Sequence, residues 1–255
     1  MTNKPLEGIG VLITRPEGCA DDLISEIEDI GGHAVKFPAI NIVPRDRTII
    51  EEEETKLSEP DITIFISQNA VKEGLQYARK SLIGAIGPKT SAYIKDFGKN
   101  VDIEPTNGFD SENFLKEAHL QNVYGKKIRI IRGNEGLNLL GDTLQKRGAT
   151  VHYLSVYERN LPNIEEKVSE KIEAALRNKQ IHIMTAMSIQ TYKNIFLLLP
   201  DKLSKEIGSM PLVTPAKRVI KEAQKNYPKT RYALASGTDN AKIIDAIIFA
   251  SKLRS

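Results

Sequence analysis

Cysteine is nearly absent from the 255-residue sequence, and tryptophan is missing. The single cysteine, Cys19, can form neither an intramolecular disulfide nor a cysteine-ligated zinc site. Low cysteine usage is typical of a reducing compartment, so we expect a cytoplasmic protein. We also expect no bound metal, because the four histidines lie far apart in the sequence: His33, His119, His152 and His182.

Long apolar runs and a strong charge of one sign are also lacking. The longest apolar runs, such as residues 195–199, fall far short of the ~20 residues that cross a bilayer. The first residues, MTNKPLEGIG, meet charge and proline too early for a secretory signal. Lysine and arginine total 36 against 33 acidic residues, a net charge of +3, and they do not cluster. We therefore expect neither membrane nor nucleic-acid binding.

Common catalytic motifs are missing as well. The sequence contains no HExxH, no P-loop, no GxGxxG after a strand and no GxSxG elbow. These absences disfavour metal-dependent and nucleotide-dependent enzymes.

The sequence does contain short β-rich apolar runs that alternate with amphipathic stretches, the pattern of a parallel α/β fold. This pattern predicts helices in most of the gaps, the first of which begins its apolar stripe near Leu23 and ends at Gly31-Gly32. Four glutamates from Glu51 predict a solvated helical face within residues 45–58. The predicted strands are 10–14, 34–37, 62–67, 82–86, 101–103, 127–132, 150–155, 181–185, 212–214 and 232–235.

An internal repeat divides these elements into two sets. VLITRPEG from Val11 resembles IRIIRGNEG from Ile128, and later segments of each half correspond in the same order. Among them, IFISQNAV from Ile64 matches HIMTAMSI from His182, and AIGPKTSAYIKDFG from Ala85 matches LVTPAKRVIKEAQKN from Leu212. We therefore predict an α/β fold with two similar parallel-sheet domains.

The residues that follow the predicted strands are rich in hydroxyl, amide, glycine and cationic groups, which donate well to carboxylates and phosphates. In open parallel sheets, ligands bind beyond the carboxyl ends of the strands. Helix N-capping alone would explain any single Ser or Thr among these residues. The prediction of an anion-binding site therefore depends on the excess of donors in the whole set. The predicted substrate-binding residues are Arg15, Ser67, Asn69, Gly87, Thr90, Arg132, Thr185, Ser188 and Thr214.

Several segments, taken in order and spacing, resemble uroporphyrinogen-III synthases over essentially the whole chain. They are VLITRPEG, GGHAVKFPAINIVP from Gly31, IFISQNAV, AIGPKTSAYIKDFG, SENFL from Ser111, IRIIRG and RGATVHYLSVYERNLP from Arg147. The resemblance implies two α/β domains joined by a two-stranded β-ladder, with a discontinuous first domain at 1–38 and 162–255 and a second at 42–157. The chain would cross between them at 38–44 and 156–162.

The resemblance also implies a function. Family members cyclise hydroxymethylbilane, a linear tetrapyrrole with eight carboxylates, to uroporphyrinogen III with inversion of ring D, and they use no cofactor. This reaction belongs to tetrapyrrole and haem biosynthesis. The resemblance further implies a monomer that could contact hydroxymethylbilane synthase transiently.

Position by position, the resemblance assigns roles to a few residues. Tyr157 matches a tyrosine that is the candidate proton donor, with a hinge aromatic that packs between domains as the alternative. Ser67 and Thr90 match candidate carboxylate donors. Arg15 matches a Thr-Arg-Pro motif, with a structural salt bridge as the alternative. The chain departs at Leu137, where family members often carry arginine, and at Arg218, whose role stays open.

Two other functions fit the same two-domain pattern. The first is a non-catalytic, two-lobed ligand-binding or sensor protein, and the second is a sugar-nucleotide transferase with facing α/β domains. Turnover of hydroxymethylbilane separates the synthase from the binding protein, and stabilisation by a nucleotide would indicate the transferase.

We predict that EDTA leaves the activity implied by the resemblance unchanged, because one cysteine and four dispersed histidines provide no recognisable metal site. Activity is measured before and after dialysis against the chelator. A loss of activity that one defined metal restores would contradict this prediction.

Overall fold

The computed structural model describes residues 4–106, 108, 110–136 and 138–253, so Leu137 lies outside the described residues. The chain forms two compact units. Unit 1 consists of Met1–Asn41 and Asn160–Ser255, and unit 2 of Ile42–Arg159. None of the helices in the described part of the chain is long and apolar enough to cross a membrane.

Strands and helices alternate through most of both units. The strands are β1 Gly10–Ile13, β2 His33–Lys36, β3 Asn41–Pro44, β4 Ile62–Phe65, β5 Leu82–Ala85, β6 Lys127–Gly133, β7 Thr150–Asn160, β8 Ile183–Thr185, β9 Leu212–Thr214 and β10 Tyr232–Leu234. The helices are α1 Asp21–Asp29, α2 Arg47–Thr55, α3 Gln68–Gly74, α4 Pro88–Asp96, α5 Ser111–Phe114, α6 Leu139–Lys146, α7 Glu166–Arg177, α8 Ile189–Leu198, α9 Asp201–Gly208, α10 Lys217–Asn226 and α11 Asn240–Ser251.

Each unit contains one five-stranded sheet. The strand order is β10-β9-β8-β1-β2 in unit 1 and β3-β7-β6-β4-β5 in unit 2. The pairs β1 with β2, β8 with β1, β4 with β5, β4 with β6 and β6 with β7 are all parallel. The two orders correspond as the repeat predicts, with β1-α1-β2 equivalent to β6-α6-β7. The predicted α/β class with two similar parallel sheets is confirmed.

The central strands are buried on both faces, which is why they read as continuous apolar runs. In β1, Leu12 packs into one apolar core of unit 1 while Val11 and Ile13 pack into the other. In β4 of unit 2, Phe65 enters one core and Ile64 the other. The alternation of side chains along a strand therefore distributes each apolar run between two helix-covered faces.

Three strands differ from the sequence-based expectation by more than two residues at one end or in their existence. The apolar pattern does not predict strand β3, a short edge strand whose middle residues are only half-buried, whereas the family resemblance implies a ladder strand in the crossing at 38–44. Strand β7 continues to Asn160, beyond the predicted end at residue 155, because β3 pairs beside it. The strand predicted at 101–103 is reduced to a single bridge between Ile103 and Gly84. The chain crosses between the units in β3 and near the end of β7, which are neighbours in one sheet.

The prediction of a solvated glutamate face on α2 is wrong for one residue. Glu54 is only 5% exposed, and its Oε1 accepts a hydrogen bond of 2.8 Å from Nη1 of Arg129 on β6. Arg129 is itself 1% exposed and also donates to the carbonyl of Ser58. Glu54 lies one helical turn after Ile50, so both face the sheet rather than water.

We predict that Glu54→Ala lowers the free energy of unfolding by about 3–5 kcal/mol, because it leaves the buried guanidinium of Arg129 without its carboxylate. Glu51→Ala, on the exposed face of the same helix, is the matched control and should change stability by less than about 0.5 kcal/mol. Denaturant unfolding measures both. A Glu54→Ala protein as stable as the control would contradict the ion-pair account.

Candidate functional site

In unit 2, the carboxyl ends of the parallel strands carry polar residues that lead into helices. Ser67 follows β4 and caps α3, Gly87 follows β5 and precedes α4, and Arg132 and Gly133 end β6. Because β4 pairs in parallel with both β5 and β6, these ends lie along one edge of the sheet. We call this edge the unit 2 rim and define it by these residues.

A β-bulge brings Tyr157 to the unit 2 rim. Arg132 pairs with Ser155, but the next residue, Gly133, pairs with Tyr157, so β7 has one extra residue at this point. The bulge breaks the alternation of the strand, and consecutive residues Val156 and Tyr157 are both fully buried. The extra residue thus turns the phenol toward the end of β6 instead of away from the core.

Gly133 provides the space for the Tyr157 ring. A Cβ atom at position 133 would lie 2.5 Å from Cε2 and 2.8 Å from Cζ of that ring, closer than real Cβ contacts. A side chain at position 133 would therefore displace the ring. The loop after β6 is also tied to β7, because Asn134 donates its backbone N–H to the Tyr157 carbonyl at 3.0 Å.

The Tyr157 hydroxyl meets Ser67. Its Oη lies 3.2 Å from Ser67 Oγ, and Ser67 Oγ also accepts the backbone N–H of Ala70 at 3.1 Å. The guanidinium Cζ of Arg159 is 5.9 Å from the centroid of the Tyr157 ring. Tyr157 is fully buried, whereas Ser67 is half-buried and keeps part of its surface open to solvent.

The loops beside Ser67 present further donors. Asn69 is half-buried in the first turn of α3. Gly87 precedes Pro88, the first residue of α4, and Thr90 is buried in the first turn of that helix. The neighbouring Ser91 is 1% exposed, and its Oγ has no hydrogen-bond partner among the described residues. Polar groups are therefore concentrated on two adjacent loops of the unit 2 rim.

Arg132 borders a groove of about 490 Å³ whose lining includes Asn134, Glu135 and Ser155. Its Nη1 donates to Oδ1 of Asn138 at 3.1 Å, and its Cζ lies 4.8 Å from the centroid of the Tyr153 ring. These contacts hold the guanidinium in one position. Partial burial raises the pKa of the Tyr153 phenol, whose hydroxyl donates to the carbonyl of Asn138 at 3.3 Å.

In unit 1, Arg15 follows β1. Its Nη1 donates to Oδ1 of Asn240 at 2.8 Å and its Nη2 to the carbonyl of Thr238 at 3.2 Å. Burial lowers the pKa of the Arg15 guanidinium from its usual high value. Its hydrogen-bond partners are an amide and a carbonyl rather than a carboxylate. These contacts therefore differ from the structural salt bridge that was the alternative role for Arg15.

The other predicted residues of unit 1 have structural partners. The Thr185 hydroxyl donates to the carbonyl of Leu12 at 2.9 Å, and the Thr14 hydroxyl donates back to the carbonyl of Thr185 at 2.6 Å. Thr214 is fully buried, and its Oγ1 accepts the backbone N–H of Ala216. Since Thr185 and Thr214 use their hydroxyls inside the sheet and loop, we leave both out of the binding set that we propose below.

Ser188 is the unit 1 counterpart of Ser67. It caps α8 by accepting the backbone N–H of Thr191 at 3.1 Å, and its Oγ lies 2.9 Å from Thr191 Oγ1. The two serines therefore share the capping geometry, but the side-chain hydroxyl that contacts Ser188 belongs to its own helix, whereas Ser67 contacts a tyrosine from the distant strand β7.

Metal-binding side chains do not gather in the described residues, where no group of three or more His, Cys, Asp or Glu side chains could hold an ion. The His182 Nδ1 accepts the backbone N–H of Gly10 at 2.8 Å, a contact between the start of β1 and the residue before β8. Cys19 is exposed with a free thiol.

Sequence reasoning did not single out Ser91, Asn138 or Tyr153, and it placed Gly133 after a strand without giving it a role. For Gly133 a signal exists, since a glycine ends the IRIIRG run and glycine within a strand often marks a close approach. The contacts of Asn138 and Tyr153 with Arg132 depend on the tertiary arrangement of α6 and β7, which no local pattern encodes.

These features define a two-unit α/β protein with an anion-suited strand edge, and sequence comparison identifies its family. The model of the family "Uroporphyrinogen-III synthase HemD" matches residues 21–245. The Proteus mirabilis protein named uroporphyrinogen-III synthase is 30% identical over 185 residues, which cover 69% of this chain and 92% of that protein. The chain belongs to the uroporphyrinogen-III synthase family.

Two further relatives match over a shorter length. The uroporphyrinogen-III synthase of Escherichia coli strain K12 is 31% identical over 160 residues, which cover 59% of this chain. The match spans 65% of the E. coli protein, and the match to the Salmonella typhimurium protein also spans 65%.

Solved structures share the fold. A mutant uroporphyrinogen III synthase from the extremely thermophilic bacterium Thermus thermophilus aligns with a TM-score of 0.58 at 16% identity, over 96% of this chain and 99% of that one. The uroporphyrinogen-III synthetase of Helicobacter pylori 26695 aligns with a TM-score of 0.59 at 14% identity over the same shares.

We predict that Gly133→Ala destabilises the protein by about 1–3 kcal/mol, because the new methyl group overlaps the Tyr157 ring. In a Tyr157→Leu background the same substitution should be less costly, because the aromatic edge is gone. The double-mutant cycle by denaturant unfolding measures this coupling. Strictly additive effects would mean that the two residues do not compete for this space.

Proposed function

We propose that this protein is a uroporphyrinogen-III synthase, which cyclises hydroxymethylbilane with inversion of ring D. The observation that carries the proposal is the hydrogen-bonded pair of Tyr157 and Ser67 at the unit 2 rim, in a chain of this family. The relatives from P. mirabilis and E. coli bear the name of this activity. The reaction uses no cofactor in this proposal.

Binding of the substrate carboxylates is assigned to the donors at the strand ends. In unit 2 these are Arg132, Asn69, the backbone at Gly87 and Thr90, and in unit 1 Arg15 and Ser188. Arg132 is held by Asn138 and Tyr153, so less side-chain entropy is lost when it pairs with a carboxylate. Hydrogen bonds to charged groups contribute about 1.5–3 kcal/mol each, and several of them can hold one shape of a flexible tetrapyrrole.

Little further chemistry is required from the side chains. Loss of hydroxide from the hydroxymethyl group of ring A, driven by the nitrogen lone pair of that ring, gives an azafulvene cation whose methylene carbon is then attacked by ring D. Attack at the substituted carbon of ring D gives a spiro-pyrrolenine, and fragmentation with recombination turns the ring over. The protein must supply a proton to the leaving hydroxyl and restrict the shape of the chain.

Location, assembly and partners belong to the same proposal. We infer a cytoplasmic monomer, consistent with the exposed free thiol of Cys19, which a reducing compartment would preserve. Transient contact with hydroxymethylbilane synthase would shorten the time that the unstable bilane spends in water. A ligand-binding protein without turnover is the alternative that the experiment below separates.

We predict that the protein, mixed with freshly made hydroxymethylbilane, yields mainly uroporphyrinogen III. Free hydroxymethylbilane closes to isomer I when the unsubstituted carbon of ring D attacks the methylene carbon of ring A, so the isomer ratio measures how well the protein controls the shape of the substrate. The products are oxidised and separated by chromatography, with a protein-free reaction in parallel. A ratio equal to that of the protein-free reaction would contradict the proposal, and saturable binding without turnover would favour the alternative.

Arg132→Ala should shift the products toward isomer I and raise KM by about 10- to 100-fold, the equivalent of one hydrogen-bonded charge pair. Lys146→Ala, which removes an exposed cation from α6, is the matched charge control and should leave the ratio unchanged. Equal effects of the two substitutions would indicate that net charge, rather than a placed guanidinium, controls the ratio.

A further inference from the structure

The buried position of Tyr157 raises the question of how its proton reaches a substrate. Tyr157 has no exposed surface, and its ring is fixed against Gly133. Its hydroxyl contacts Ser67 Oγ at 3.2 Å. Direct contact between the phenol and a bound substrate would require the ring to leave this position, whereas Ser67 keeps part of its surface in solvent.

The hydrogen bonds that Ser67 can form indicate which way its own O–H points. A serine hydroxyl has one proton and can accept two hydrogen bonds. Ser67 Oγ already accepts the backbone N–H of Ala70 at 3.1 Å. If it also accepts the proton of Tyr157, both acceptor positions are occupied and its own O–H points outward. This arrangement satisfies every donor and leaves one proton on the partly exposed side.

We propose that Ser67 is the direct proton donor to the leaving hydroxyl and that Tyr157 resupplies it, a relay that rests on the proposed synthase function. The Ser67 proton moves to the leaving oxygen, and the C–O bond breaks with its electron pair to release water. The Tyr157 proton moves to Ser67 Oγ, which leaves the azafulvene cation and a phenolate. The proton released when the pyrrole ring closes returns through Ser67 to that phenolate, so the cycle balances.

Arg159 is placed to support the charged intermediate of this relay. Its guanidinium Cζ lies 5.9 Å from the centroid of the Tyr157 ring, and its backbone N–H is held by Oδ1 of Asn134 at 3.1 Å. A cation near the ring stabilises negative charge that forms on the phenol. Arg159 is therefore a positioning residue that acts through Tyr157.

The relay gives Ser67 a different role from carboxylate binding, and kinetics separates the two. In single-turnover reactions, Tyr157→Phe and Ser67→Ala should each slow loss of the hydroxyl about 10²-fold. In steady-state reactions, both variants should show little change in KM. Their double variant should be no slower than the slower single variant, because both remove the same relay. Ser67→Thr keeps a hydroxyl and should restore most of the rate.

Ser188→Ala is the matched control for the loss of a helix cap, because Ser188 and Ser67 accept a backbone N–H at the same distance of 3.1 Å. Both substitutions should lower stability by about 1 kcal/mol. Only Ser67→Ala should couple to Tyr157→Phe, whereas the effects of Ser188→Ala and Tyr157→Phe should multiply. Stability is measured for every variant, so a folding defect is separated from a chemical one.

Rates in mixtures of H2O and D2O provide a readout that packing alone does not change. The dependence of the wild-type rate on the D2O fraction should fit two protons that move in the same step. The dependence of the Tyr157→Phe rate should fit one proton. A Ser67→Ala protein with raised KM and an unchanged single-turnover rate would overturn the relay, as would multiplying effects of Ser67→Ala and Tyr157→Phe. Failure of the wild type to form isomer III would instead overturn the synthase proposal and the relay together.

Discussion

Parallel strand pairing is the constraint on which the rest of this structure depends. When neighbouring strands run in the same direction, their carboxyl ends come together at one edge, and each connection must return over a face of the sheet. Those returns are the helices that bury β1 and β4 on both sides. The same geometry brings the loops after β4, β5 and β6 together, although they are far apart in sequence. Parallel strand pairing therefore produces both the buried cores and the candidate site.

The two copies of the α/β half have diverged at equivalent positions. In unit 1, the Thr14 hydroxyl donates to the carbonyl of Thr185, the Thr185 hydroxyl donates to the carbonyl of Leu12, and Ser188 bonds within its own helix. In unit 2, one extra residue in β7 and the absence of a side chain at Gly133 place Tyr157 against Ser67. A short insertion in one strand thus gives unit 2 a contact that unit 1 lacks among its described residues, and this contact carries the proposed chemistry.

Much of the fold follows from local patterns. The apolar runs of β1, β4 and β6 and the glycine pair after α1 indicate strands and a helix end, and Gly31 adopts the positive φ of 90° that such an end favours. The half-exposed edge strand β3 could be expected only from the family resemblance, and the buried Glu54 was not predictable, because each depends on partners that the tertiary fold supplies. The positions of Ser67 and Tyr157 could be named from resemblance, but their direct contact requires the bulge.

We propose that the ligand binds at the carboxyl ends of the strands in unit 2. Titration of ¹⁵N-labelled protein with uroporphyrinogen III under anaerobic conditions, followed by NMR of the backbone amides, tests it most directly. The largest shifts are expected at Gln68–Val71 and Gly87–Ser91, and at Asn134, which follows β6. The amides of Leu82 and Lys127, at the opposite ends of β5 and β6, should change little. Shifts confined to those opposite ends would contradict the account.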